Sequence, residues 1–131
     1  MDLEVTFPGG RRVEAHYGGF TIAADKAVED AGQGSAPTPF DLFLASLGTC
    51  AGMNLVYSFE HRGLSPRGAR LVMKMEEDAE SRMVTKITTE IHLPPDFPNQ
   101  HKERLLRAVD ACYVKKHVLQ PPQFETKLVE G

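Results

Sequence analysis

Thr38-Pro39-Phe40-Asp41-Leu42-Phe43-Leu44-Ala45-Ser46-Leu47-Gly48-Thr49-Cys50-Ala51-Gly52-Met53-Asn54-Leu55-Val56-Tyr57-Ser58-Phe59-Glu60-His61-Arg62-Gly63 is the stretch that decides the fold. It predicts one long helix with both ends marked. Thr38 can cap it, Pro39 suits the first turn, and Asp41 completes a Thr-x-x-Asp capping pattern. Gly63, just past Glu60-His61-Arg62, is a C-terminal stop. No charged side chain occurs from Leu42 to Phe59, so burial on nearly all sides is expected. At 100° per residue, Ala45, Gly48 and Gly52 fall on one face, where small side chains let another backbone approach closely. Cys50 lies on the opposite face with Phe43, Ser46, Asn54, Tyr57 and His61. A thiol therefore sits mid-helix among hydroxyl, amide and imidazole groups.

On the N-terminal side, Leu3-Glu4-Val5-Thr6-Phe7 alternates like a strand and Pro8-Gly9-Gly10 reads as a turn. Val13-Glu14-Ala15-His16-Tyr17 resumes the alternation, Gly18-Gly19 turns again, and Phe20-Thr21-Ile22-Ala23 is a third strand, giving a β-meander. Residues 25–37 link it to the helix. On the C-terminal side, residues 68–77 and Met83 to Leu93 predict an antiparallel pair about a turn at Asp78-Ala79-Glu80-Ser81. A second helix is expected from Asn99 to Cys112 or slightly beyond, with Leu105, Ala108, Val109 and Cys112 on one face. After Pro121-Pro122, Phe124-Glu125-Thr126-Lys127-Leu128 reads as a last strand. The order βββ-α-ββ-α-β is an α+β fold.

A chain of 131 residues predicts a single domain, residues 1–131. Its net charge of −3 gives no reason to expect nucleic-acid binding. The central helix is about the minimum length for a membrane span, but Ser46, Thr49, Asn54 and Ser58 lower its hydrophobicity, and no membrane association is expected. Met1-Asp2-Leu3-Glu4 lacks the basic start and apolar run of a secretory signal. With two cysteines, this points to the reducing cytoplasm, where paired thiols tend to be redox-active. A charge-free helix is hard to cover in so small a domain, which suggests self-association as a two-fold dimer.

Cys50 and Cys112 are the residues for chemistry, set against the alternative that buried free cysteine is a small inert hydrophobe. There is no Cys-x-x-Cys, and the histidines show no ligand spacing around either cysteine, so neither metal nor cofactor is expected. Lys115-Lys116-His117 reads either as a solvated helix end or as positive potential favouring thiolate at Cys112. A guanidinium from Arg11-Arg12 that reached Cys50 would lower its pKa.

Ala36-Pro37-Thr38-Pro39-Phe40-Asp41-Leu42-Phe43-Leu44-Ala45-Ser46-Leu47-Gly48-Thr49-Cys50 resembles the first-cysteine motif of the OsmC/Ohr family, the osmotically induced and organic-hydroperoxide-resistance proteins. Val109-Asp110-Ala111-Cys112-Tyr113-Val114-Lys115-Lys116-His117 resembles its second-cysteine motif. The resemblance implies an intertwined α+β homodimer with its long helices packed together and its active sites at the subunit interface. It implies a peroxidatic Cys50 thiolate that becomes a sulfenic acid, a resolving Cys112, an activating arginine best matched by Arg11, and an external dithiol reductant. Hydroperoxide-reducing members carry a glutamate ten residues before the first cysteine, and Phe40 stands there. Asp41, next along, is the substitute, pointing about 100° away from Phe40. Tyr113 stands where those members usually have proline. Two functions follow: a thiol-dependent reductase of organic or hydrogen peroxides, or a non-catalytic dimer that binds a small apolar ligand or senses oxidation.

Overall fold

The computed structural model describes residues 1–131. The chain forms two compact units, Met1–Ser46 and Leu47–Gly131. The first holds an antiparallel meander of β1 (Glu4–Gly9), β2 (Arg12–Tyr17) and β3 (Phe20–Ala24), as the alternation and the paired glycines predict. Val5 pairs with Ala15 and Ala15 with Ile22, so these three share one face. On the other face His16 bridges two hydroxyls, Thr6 Oγ1 at 2.9 Å and Thr21 Oγ1 at 3.0 Å. Residues 25–37 wrap around the Asp25 carboxylate. It is 3% exposed and accepts hydrogen bonds from Lys26 N, Ser35 N and Ser35 Oγ at 2.7, 3.1 and 2.6 Å.

Helix α1 (Pro39–His61) begins in this unit and runs on into the second. Its start is the capping box expected from Thr-x-x-Asp: Asp41 N donates to Thr38 Oγ1 at 3.2 Å, and Thr38 N donates to an Asp41 oxygen at 3.1 Å. Its end is a Schellman motif. Gly63 has φ +69°, its N–H reaches Glu60 O, and Leu64 N–H reaches back to Phe59 O. Leu64 also packs against the core that contains Phe59.

The second unit adds the hairpin β4 (Arg70–Glu77) and β5 (Val84–His92), whose turn Asp78 Oδ1 closes by accepting from Glu80 N and Ser81 N. After a 3-10 turn at Asn99–His101 come α2 (Lys102–Asp110) and α3 (Tyr113–Leu119). The core is Ala51, Leu55 and Phe59 of α1 with Phe97, Leu105 and Val109, flanked by Leu71, Ile91 and Leu93. Burying a side chain such as Phe59 contributes roughly 1.5–3 kcal/mol. β4 approaches α1 closely at Gly48, where an added Cβ would come 2.9 Å from Met73 Sδ.

Three expectations are corrected. The predicted second helix ends at Asp110, two residues short of Cys112, and a further helix, α3, follows it, so Cys112 lies between two helices. Phe124–Leu128 is not a strand, because neither sheet includes it, and an unpaired strand has no partners for its backbone groups. Helix α1 is not buried all round. Ala51, Leu55, Ser58 and Phe59 are buried, while Ala45, Thr49, Met53 and Tyr57 form an exposed row at i+4 spacing. The helix's buried residues Ala51, Leu55 and Phe59 share a core with Phe97, Leu105 and Val109. By length and composition alone the helix could cross a membrane.

Candidate active site: a thiol pair at a helix break

Cys50 stands on the middle of α1 and is half-buried; Cys112 is buried, 4% exposed, and both are free thiols. The chain reaches Cys112 through Ala111, whose φ of −79° and ψ of 53° end α2. Cys112 then serves as the N-cap of α3, in the extended region at φ −76° and ψ 125°. Its sulfur accepts from Lys115 N at 3.3 Å, the bond that a serine or threonine cap makes through oxygen. The same thiol lies 3.9 Å from Leu47 O, to which it can donate.

The first N–H groups of a helix have no intrahelical partner. In α3 the third is taken by Cys112, and the first two, of Tyr113 and Val114, act on the Cys50 thiol, Val114 on Cys112 as well. Both sulfurs thus lie at the start of α3, where its free N–H groups act on them. The Val114 N–H is the main influence holding the Cys50 thiol below its ordinary value of 9.0; burial opposes it, and the Cys112 thiol and the Tyr113 N–H reinforce it. Burial pushes the Cys112 thiol up, more than the Lys115 N–H brings it down, and the nearby Cys50 sulfur raises it further. The pair is thus polarised, with Cys50 the thiolate-prone member and Cys112 the protonated donor.

This corrects the idea that the lysines after Cys112 favour its thiolate, since Cys112 moves the other way and Lys115 Nζ pairs with Asp110 Oδ1. The sequence reading also missed the backbone donors. They required seeing that a helix starts at Tyr113, and cysteine is not a common cap.

Of the four residues singled out for catalysis, Cys50 and Cys112 are brought together within Leu47–Gly131. Arg11 and Asp41 belong to Met1–Ser46. Arg11 is exposed, and the Asp41 carboxylate is engaged in the capping box. Arg12 is bound to Glu14 Oε2 at 3.3 Å and Ser35 Oγ at 3.0 Å. Phe40 is half-exposed, with its ring centroid 5.6 Å from that of Phe43. No group of three or more His, Cys, Asp or Glu side chains is arranged to hold a metal ion. One turn beyond Cys50, Asn54 forms one wall of an open cleft of about 500 Å³ between α1 and α2.

Known proteins share this fold. The chain resembles a candidate osmotic stress induced and detoxification response protein of Psychrobacter arcticus, with a TM-score of 0.73 and 22% identity over 87% of this chain and 85% of that one. It resembles the organic hydroperoxide resistance protein OsmC of Legionella pneumophila at TM-score 0.57 and 18% identity, covering 90% and 89% of the two chains. It also resembles the organic hydroperoxide resistance protein OhrB of Bacillus subtilis at TM-score 0.52 and 18% identity, covering 89% and 90%. At these identities the likeness shows a shared fold. No curated protein sequence matches this one. The model of the OsmC-like proteins matches residues 32–127, a span that includes both cysteines and nearly three-quarters of the chain, and so the chain belongs to the OsmC-like family.

Proposed function

We propose that this OsmC-like protein is a cysteine-based reductase of organic or hydrogen peroxides. The observation that carries the reading is the polarised thiol pair, Cys50 lowered by the α3 N–H groups and Cys112 buried and protonated beside it. The Cys50 thiolate attacks the terminal peroxide oxygen. The O–O bond breaks, the alkoxide takes a proton and leaves as an alcohol, and Cys50 becomes a sulfenic acid. The Cys112 sulfur then attacks the Cys50 sulfur, water departs, and a disulfide forms. An external dithiol restores both thiols by exchange and carries away the two electrons' worth of oxidation.

The cleft beside Asn54 offers room for the organic part of a substrate. The exposed row on α1 and the exposed Phe124, Leu128 and Val129 support a homodimer, since such apolar surface is unusual on a monomer. Arg11 serves in this reading as the activating guanidinium. Two free thiols suit a reducing, cytoplasmic setting. Commitment of Asp41 to the helix cap favours a second reading, in which the pair senses oxidation or the dimer binds an apolar ligand without rapid turnover.

The test is one equivalent of cumene hydroperoxide added to the reduced protein, followed by thiol titration and intact mass. Wild type should lose both thiols within minutes and two hydrogens of mass. Cys112→Ser should stop at a sulfenic acid that dimedone traps, and Cys50→Ser should consume peroxide no faster than buffer. The wild-type rate should level off at a lower pH than for a free thiol, because Cys50 titrates below 9.0. Turnover by Cys50→Ser at the wild-type rate overturns the assignment; thiol loss only over hours in large excess favours sensing.

A further inference from the structure

Two carbonyl groups at the α2–α3 break have lost the donors that a continuous helix would give them. Ala108 O would accept from Cys112 N, but that N–H turns to Asp110 O at 2.8 Å. Ala111 O would accept from Lys115 N, which goes to Cys112 Sγ. Both carbonyls are instead satisfied by one side chain. Asn54 Nδ2 donates to Ala108 O at 2.9 Å and to Ala111 O at 2.9 Å. Two acceptor partners fix which end of the amide points at them.

We infer that Asn54 is a positioning residue for the thiol pair, its amide holding open a break that residues 102–119 would otherwise close into one helix. Nothing local forces the break. Asp110-Ala111-Cys112-Tyr113 contains neither proline nor glycine, and all four residues are compatible with helix. If the helix ran through, Tyr113 and Val114 N–H would bond back to Val109 O and Asp110 O and be withdrawn from Cys50. Cys112 would lose its capping role and swing with the helix. Asn54 follows Cys50 by one turn of α1, so the same rigid element that carries the attacking sulfur also sets the break that serves it.

The inference rests on the redox reading of the two cysteines, but its test does not need peroxide turnover. The groups acting on the Cys50 thiol are the Val114 and Tyr113 N–H groups and the Cys112 thiol, with no charged side chain among them. Removing the donors should therefore show directly in thiol titration. The experiment compares the pH profile of Cys50 alkylation by iodoacetamide in wild type, Asn54→Ala and Asn54→Asp, each also carrying Cys112→Ser so that a single thiol reacts. Leu64→Ala is the control, a loosening at the far end of α1. The profile should move to higher pH in both Asn54 variants and stay in place in Leu64→Ala. With Cys112 present, disulfide closure by diamide should slow at least about tenfold in the Asn54 variants, since small misplacements of reacting atoms carry large rate costs.

Backbone chemical shifts of Ala111 and Cys112 should become helical in Asn54→Ala. In the wild type, which removes any question of folding, both Asn54 side-chain amide protons should exchange slowly with solvent. Fast exchange of those protons, or an unmoved alkylation profile and closure rate in the variants, overturns the inference. If the profile moves as expected but wild type fails to consume peroxide, the positioning role stands and the peroxidase reading falls.

Discussion

The two units are held by opposite kinds of contact. In Leu47–Gly131, six buried apolar residues from α1, α2 and the Phe97 turn make a core, and the thiol pair is anchored at its edge. In Met1–Ser46, the buried residue is a carboxylate, Asp25, and the sheet leaves Val5, Phe7, Phe20 and Ile22 exposed. Apolar packing is non-directional and insensitive to pH. A hydrogen-bonded carboxylate is directional and titrates. In Leu47–Gly131 the hydrogen-bonded carboxylate that turns a hairpin, Asp78, is exposed and lies outside the apolar core, so acid acts there at the surface and not on the packing.

The largest effect that would break this contrast lies in the apolar core. Phe59→Ala should destabilise the protein by about 3–5 kcal/mol, read from urea unfolding, because the ring is 1% exposed and stacks 5.1 Å from the Phe97 ring. A loss of under about 1 kcal/mol would mean that the core relaxes around the cavity and does not hold α1 rigidly.

The next effect sharpens it from the polar side. Ser35, through its hydroxyl and then its N–H, is the main cause that holds the Asp25 carboxyl below its ordinary 3.8. A lowered folded pKa means that this contribution is complete above the unfolded value and fades as pH falls through the folded one. Hydrogen exchange at Ser35 N should accelerate below about pH 4, while amides of the apolar core stay protected. Asp25→Asn should exchange faster at neutral pH and lose that acid dependence. Simultaneous loss of protection in both units would show a shared cooperative transition instead.

The smallest effect is at the start of α1. Thr38→Ala removes one half of the capping box and should cost about 1 kcal/mol. Cys50 alkylation should be unchanged, because the cap lies three turns from the thiol. A shifted alkylation profile would mean that fraying at the helix start propagates to the site.

Much of this was legible in the residues because it is coded locally. The paired glycines at 9–10 and 18–19 have positive φ and turn the meander, and Asp78 turns the second hairpin. The exposed side of α1 was not legible, since an uncharged helix reads the same whether its cover comes from its own chain or from elsewhere. Nor was the absence of strand structure at Phe124–Leu128, where alternation states a preference and only a paired edge can satisfy it.

The ends of helices show where the boundary lies. Thr38, Asp41 and Gly63 fix both ends of α1 through contacts within a few residues, so the sequence alone determined them. The break at Ala111 is marked locally only by the Cys112 cap, an uncommon one that the sequence reading did not recognise, and the proximity of Cys50 to Cys112 depends on it. It is set by hydrogen bonds from Asn54, more than fifty residues earlier in the chain, and only the folded arrangement of α1 against α2 brings that amide to those carbonyls. Local backbone chemistry wrote the helix; packing at a distance decided where the second sulfur would stand.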